Sequence, residues 1–508
     1  HPLPVLHLPV PRLPDSAGGN IVILSLLAGR PFETDPAPGP LLTPAPDQAP
    51  APAPGVPNRE VLDPDVVDQA QNAAGVDWAS IVGYSGLVAV ALALTLIAVT
   101  TLWWMLYAWR SKSTYDSTAF SVEPQAPRHT FTLLVPGRHE EEVMGQTLDA
   151  LAAQTHPDVQ IIAIVGDDDP GTTAVVRAAA ARHPDRIEVV VDDSVPKNKP
   201  KALNRALPLA AGDIVGVFDA EDEVHPELLR HIDSRFTESG ATVVQGGVQL
   251  MNFRTTWWSL RNVLEYYFWF RSRLHFHAGA KFIPLGGNTV FVKRDALVRN
   301  DGWDAECLAE DCELGVRLSS QGEKVVVAYS PEFVTKEETP GTLKSFYKQR
   351  TRWNQGFLQV LRKGEWRSLP TRGQRLFARY MLAMPFLQAA TGLLIPLSIF
   401  LILVVKVPTA VALLTFIPLA PTLVTVAVEI AGIGEFGRLY GQKVRVIDYV
   451  RLVLGTIPFQ VLLAGAAIRA VFRELRGERG WEKTEHTGAH REEAAPTAAA
   501  RVLEEVAA

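Results

Sequence analysis

The sequence predicts an α/β domain built on a largely parallel sheet, fused to a small group of apolar helices of membrane-spanning length. Three observations carry this. Through residues 128–370, short apolar runs alternate with helical patterns, the signature of strands joined by crossover helices. Three uncharged runs, Ile81–Ala108, Tyr380–Val405 and Val407–Val428, each reach the length of a membrane crossing. The charges nearly balance: 49 Lys and Arg against 55 Asp and Glu give a net −6 over 508 residues. Nucleic-acid binders carry a basic excess, so no nucleic-acid partner is expected. Two cysteines exclude a disulfide scaffold.

Fifteen of the 37 prolines fall within residues 1–58. Proline fixes φ and removes a donor, so neither helix nor sheet propagates there. Residues 1–75 therefore read as an extended, mostly disordered segment. Residues 79–110 follow as the first transmembrane helix. At 1.5 Å per residue the uncharged run measures about 42 Å, enough for a hydrocarbon core of roughly 30 Å. Asp63, Asp65, Asp68 and Asp77 precede it, and Arg110 and Lys112 follow. The positive-inside rule puts the N-terminus outside and residue 110 onward in the cytoplasm, in an inner (plasma) membrane. The N-terminal segment is then placed to meet an extracytoplasmic partner.

In the domain at 128–370, strands are expected at Phe131–Val135, Val159–Val165, Ile187–Val191, Ile214–Phe218 and Thr242–Gln245. Helical stretches such as Glu141–Ala153 and Thr172–Arg182 lie between them. Ligands bind such sheets at the carboxyl ends of the strands. Residues 378–432 read as a transmembrane hairpin, flanked by Arg372, Arg375 and Arg379 before and Arg438, Lys443 and Arg445 after. The apolar run Leu452–Ile468 contains Gly455 and Pro458 and has arginines on both sides. For residues 446–475 this favours a re-entrant or interfacial segment over a fourth crossing. Residues 476–508 read as a cytoplasmic tail, disordered from Glu485.

Five clusters of chemistry-bearing residues stand out. Phe218–Asp219–Ala220–Glu221–Asp222 puts acids at the end of a strand. Such acids are either a solvated turn or oxygen ligands for Mg²⁺ or Mn²⁺, metals that bridge to phosphates. Gly166–Asp167–Asp168–Asp169 repeats the arrangement after another strand and would accept hydrogen bonds from a base or ribose. Lys197, Lys199 and Lys201 precede Ala202–Leu203–Asn204, where a helix start and its cations suit phosphate. Glu310–Asp311 opens a helix, and an Asp facing a cleft there would serve as a general base. Gln349, Arg350, Arg352 and Trp353 share a helical stretch. Arginine forks suit phosphate oxygens, and indoles stack on sugar faces. Aromatic residues from Trp257 to Phe276, with Arg261, Arg271 and Arg273 among them, read as a helix lying on the membrane under the acceptor path. Pro284–Leu285–Gly286–Gly287–Asn288 reads as a turn where backbone approaches an acceptor.

Taken in order and spacing, these clusters resemble the membrane-embedded, processive family-2 glycosyltransferases, the group of cellulose, chitin, hyaluronan and poly-N-acetylglucosamine synthases. The resemblance covers residues 128–370, the helix pair and the segment to His486. It implies a nucleotide-diphospho-sugar transferase domain of the GT-A type on the cytoplasmic face. By this resemblance, Asp311 is the catalytic base with Glu310 beside it, and Asp219 and Glu221 hold Mg²⁺ or Mn²⁺. Pro136, Glu140, Asp167, Lys199 and Arg352 serve the nucleotide. Gln349, Trp353 and Gly287 serve the acceptor. Trp481, Lys483 and Thr484 belong to a C-terminal gating motif. The sequence departs from the family's pattern in four ways: Glu221 stands for the commoner Asp, Ala309 for the usual Thr, the long N-terminal extension has no counterpart in it, and about three full spans are fewer than cellulose synthases have.

The expected function is inverting, metal-assisted transfer of a hexose from a nucleotide-diphospho-sugar, UDP-linked by resemblance, to a growing β-linked polysaccharide. The alternatives are a single transfer to a lipid-linked acceptor and, further off, a non-catalytic scaffold in an export complex. The partners are the donor, a saccharide or lipid-linked acceptor, and membrane lipid.

Overall fold

A computed structural model describes residues 78–110, 124–404, 407–482 and 488–492. The segment 1–75, Lys483, Thr484 and residues 493–508 lie outside the described residues.

Among the described residues one sheet runs in the order β3-β2-β1-β4-β7-β5-β8. Its strands are β1 (Phe131–Gly137), β2 (Val159–Gly166), β3 (Ile187–Asp192), β4 (Ile214–Val217), β5 (Val243–Gly246), β7 (Val290–Lys293) and β8 (Val325–Ala328). Pairing is parallel except for β7, which lies antiparallel between β4 and β5. A small second sheet pairs β6 (Val248–Leu250) with β9 (Thr335–Glu337). All five expected strands are present within a residue or two. The antiparallel β7 and the short β6, β8 and β9 were not foreseen, because three- and four-residue runs carry too little periodicity to read.

Both faces of the sheet are covered, which is why β1 and β2 read as near-continuous apolar runs, interrupted by Thr132 and Gln160. On one face Leu133, Val135 and Ile161 pack with Leu148 of helix α1 (Met144–Ala152), Val176 of α2 (Pro170–Arg182) and Ile232 of α4 (Leu228–Ser239). On the other, Leu134, Ile162 and Ile164 pack with Leu203 of α3 (Lys199–Ala206) and Leu314 of α6 (Glu310–Ser320). Each such buried Leu or Ile contributes about 1.5–3 kcal/mol.

Among the described residues four helices are long and apolar enough to cross a membrane: Ser80–Trp109, Met384–Val404 (α8), Thr409–Leu439 and Thr456–Leu475 (α10). The third contains helix α9 (Leu419–Leu439) after a short break. Tyr380, read as the start of the hairpin, instead closes an amphipathic helix at Arg372–Leu382.

The aromatic stretch forms helix α5 (Ser259–Phe268), a π-helical turn over Trp269–Arg273, and a short helix at Leu274–Gly279. Its arginines fasten it to the long apolar helices. Arg261 pairs with both oxygens of Glu429 at 3.0 Å, and Arg271 with Glu435 at 2.5 Å. The Arg273 guanidinium lies over Trp104 and Trp269, 4.3 and 4.8 Å from the ring centroids.

In the 446–475 region, Val446–Leu454 forms one helix and α10 the next. Helix α10 runs along α7 (Leu343–Lys363) from the Phe346–Phe459 contact to the Gln355–Arg473 hydrogen bond of 3.0 Å. Tyr347 donates to the Gly465 carbonyl midway, at 2.9 Å.

Candidate active site

The carboxyl ends of β1, β2 and β4 open into a cavity of about 980 Å³. Pro136, Glu140, Lys199, Asp219, Glu221, Gly287, Glu310, Asp311, Gln349, Arg352, Trp353 and Trp481 all line it. Twelve of the fifteen residues named from sequence are therefore brought to one place. Lys483 and Thr484 are outside the described residues. Asp167 does not line the cavity. It is half-exposed at the rim and pairs with Lys197 at 2.6 Å. Lys197 and Asp192 line the cavity in its stead. Asp192 ends β3, so its position after a strand was a readable signal.

Local structure explains each placement. Asn198 caps α3, its side-chain oxygen accepting from Lys201 N at 3.0 Å. That cap sets Lys199 in the first turn, aimed at the loop after β4. Its ammonium pairs with Asp219 and donates to the Gly287 carbonyl at 2.8 Å. Behind them Asp222 is fully buried. It accepts from Asp219 N at 2.9 Å and from Asn288 Nδ2 at 2.7 Å. Burial and the neighbouring Glu337 carboxylate hold Asp222 well above the usual carboxylate range. Asn288 donates to both carboxyls and ties them together.

Glu310 and Asp311 open helix α6. Asp311 accepts from Cys312 N at 2.7 Å, and a Cβ on Gly287 would stand 3.0 Å from its carboxylate. Burial pushes both carboxyls up. Glu310 is held at about 7 by burial and then by Asp311, with Lys199 and Arg352 pulling the other way. Thr342 caps α7 by accepting from Ser345 N at 3.2 Å. The helix then presents Gln349, Arg352 and Trp353 on one side. The Arg352 guanidinium stacks on Trp481, 4.4 Å from its ring centroid. Arg350 also lines the cavity, where it pairs with Glu265 at 2.5 Å, donates to Asn262 and lies over the Trp353 ring, 4.8 Å from its centroid.

Gly356 explains the alanine at 309. A Cβ there would lie 2.3 Å from the Ala309 Cβ and 2.6 Å from its backbone nitrogen. Helices α6 and α7 thus meet backbone to side chain, immediately before the acidic pair, where a larger side chain at 309 has no room. Cys307 and Cys312 are free and buried, with burial pushing both thiols up.

The donor set fits a divalent cation. Among the described residues no group of three or more His, Cys, Asp or Glu is placed to hold a metal ion unaided. Asp219 and Glu221 offer oxygen only. Mg²⁺ and Mn²⁺ are bound in this way, by one or two carboxylates with further ligands from substrate phosphate. Chelation with EDTA is expected to abolish turnover, and added Mn²⁺ to restore it. Full activity after exhaustive chelation would remove the metal from the account.

The cavity also extends toward the long apolar helices. Thr101 and Met105, Gln388 and Thr391 of α8, Thr425 and Glu429 of α9, and Gln460 of α10 line its far side. Sequence reasoning missed these, because an uncharged run does not say which of its faces meets a cavity.

Sheet order, the acids after β4 and the acidic pair at α6 define a GT-A nucleotide-sugar transferase fold. Residues 127–356 match the family described as "Glycosyltransferase like family 2", and the chain carries a family-2 glycosyltransferase domain. The chain is 28% identical over 244 residues to a beta-monoglucosyldiacylglycerol synthase of Trichormus variabilis, covering 47% of this chain and 51% of that one. It is 30% identical over 233 residues to the enzyme of that name from Synechocystis sp., covering 45% and 47%. It spans about half the length of these curated relatives. In fold it is similar to the mannosyltransferase PcManGT from Pyrobaculum calidifontis, solved with GDP-Man and Mn2+. That likeness has a TM-score of 0.51 and 20% identity, over 77% of this chain and 99% of that one.

Proposed function

We propose that this protein is an inverting hexosyltransferase that glycosylates a membrane-borne acceptor, with a lipid-linked hydroxyl as the leading acceptor. The observation that carries the reading is the single cavity that joins the Asp219–Asp311 site to the flanks of the membrane helices.

The donor's nucleotide lies along Pro136, Glu140 and Asp192, and its diphosphate beside Lys199 and Arg352. Asp219 and Glu221 would hold a divalent cation, which would supply positive charge for the departing diphosphate. Asp311 takes the proton from the acceptor hydroxyl. The acceptor oxygen forms its bond to the anomeric carbon as the bond to the diphosphate oxygen breaks on the opposite face, and the nucleoside diphosphate leaves. An α-linked donor thus gives a β-linked product. Arg352, steadied on Trp481, and Lys199 offset the charge that develops on the leaving group. Trp353 gives the acceptor a flat apolar face.

The base works only when ionised. Because burial shifts the Asp311 carboxyl upward, the acid-side midpoint of kcat is expected to lie above the ordinary carboxylate range. Glu310, Asp311, Lys199 and Arg352 together set that midpoint. A flat profile from pH 5 to 8 would contradict it.

The apolar part of the wall, with Met105, Leu264, Met381 and Leu387, suits an acyl or prenyl chain. The glycolipid-synthase relatives support the same reading. A growing β-linked polysaccharide is the second reading. It is favoured by Gln388, Thr391, Thr425 and Gln460, whose polar groups suit sugar hydroxyls along an exit path. The run of α10 along α7 favours an interfacial or re-entrant placement of 446–475, with the transferase domain cytoplasmic. Purified protein in lipid, given a radiolabelled nucleotide sugar, separates the two: label that extracts with lipid as a one-sugar product supports the first, and label in a long water-soluble chain the second. Label transferred only to water would contradict both.

A further inference from the structure

The tail after Glu485, expected to be disordered, instead returns to the transferase domain at Gly488–Glu492. Its contacts converge on the loop that carries Asp219 and Glu221. Arg491 donates through one guanidinium nitrogen to the Val143 carbonyl at 3.1 Å and the Gln146 side chain at 2.8 Å. Through the other it reaches the Glu221 carbonyl at 3.0 Å, the Asp222 carbonyl at 3.2 Å and Thr147 Oγ1 at 2.6 Å. A threonine hydroxyl has one proton. With Arg491 donating to it, the Thr147 hydroxyl donates its hydrogen bond to the Ala220 carbonyl at 2.6 Å. Three consecutive carbonyls of the loop are thereby held from behind, while its carboxylates face the cavity.

The rest of the segment is built to keep Arg491 there. Gly488 N donates to Glu338 at 3.1 Å, and the His490 ring is buried beside the same carboxylate. Gly488 sits at φ +73°, and a Cβ on it would approach Val143 to 3.1 Å. The preceding Trp481 and Glu482 are anchored at the opposite side of the site. Trp481 stacks on Arg352, and Glu482 pairs with Arg469 at 2.8 Å. The C-terminal segment thus touches the diphosphate arginine at one end and the metal loop at the other.

We infer that Gly488–Arg491 is a clasp, and that Arg491 is a positioning residue that fixes the Asp219–Glu221 carboxylates for the cation and diphosphate. This rests on the metal-assisted reading above. Residues that orient metal ligands without touching the metal change metal affinity by about 10–100-fold when removed. The test is Mn²⁺ binding by the full chain in detergent, with UDP present, followed by the electron paramagnetic resonance signal of free Mn²⁺, with thermal unfolding measured alongside. Arg491→Ala is expected to weaken Mn²⁺ binding about tenfold. Arg491→Lys should recover only part, because a point charge cannot hold the fork of acceptors. Gly488→Ala, which leaves Arg491 in place and strains the clasp, should shift affinity in the same direction by less, and it carries the test if Arg491→Ala does not fold. Wild-type Mn²⁺ affinity in Arg491→Ala, or in both other variants, would overturn the clasp. Absence of Mn²⁺ uptake by the wild type would overturn the metal reading along with it.

Discussion

Asp311→Asn is expected to lower kcat about a thousandfold while leaving UDP affinity unchanged. The substitution keeps the shape of the side chain and the oxygen that accepts from Cys312 N. It removes the ability to take a proton. Glu310 shares the helix start, where burial and then Asp311 raise its carboxyl to about 7. Asp219 is engaged by Lys199. Nucleotide release with a donor panel gives kcat, and UDP titration gives affinity. A loss of both together would point to a collapsed pocket, and a wild-type rate would remove Asp311 as the base.

Gly356→Ala is expected to lower kcat about a hundredfold, although Gly356 touches no substrate. Alanine normally favours a helix interior by about 1 kcal/mol over glycine. Here its methyl would enter the backbone of Ala309, 2.6 Å from the nitrogen. A backbone atom cannot swing aside as a flexible side chain does, so helix α6 must move, and Glu310 and Asp311 move with it. Displacements of about 1 Å at reacting groups cost on the order of 10²-fold. The check is kcat with the melting temperature measured alongside. Unchanged kcat would mean that the two helices slide without disturbing the acidic pair.

These two residues mark what could be read from the sequence. The acids after β4, the pair at the start of α6 and the Gln349–Trp353 stretch were each ambiguous alone and were singled out by their order and spacing, and the fold gathers them around one cavity. Gly356 was not, since a glycine inside a helical pattern says nothing about which neighbour it admits. The antiparallel β7 was hidden because pairing direction is a property of the whole sheet. Asp167 was read toward the nucleotide on its position after β2, yet Lys197 draws it to the rim. The clasp was hidden in an alanine-rich tail, where composition outweighed one arginine and one histidine. The cavity's reach along α8 and α9 was hidden for a different reason. Long apolar helices carry polar residues such as Thr391 and Thr425 singly, and only packing shows that they face one space.

The account's central claim is a single displacement that inverts the anomeric centre. The direct measurement uses purified full-length protein in lipid with Mn²⁺ and α-linked nucleotide sugars, following nucleotide release and the proton NMR coupling of the new anomeric position. The account predicts release with one donor and a β-linked product carrying the large coupling of an axial proton for a gluco-configured sugar. An α-linked product formed at the same rate as release would contradict it.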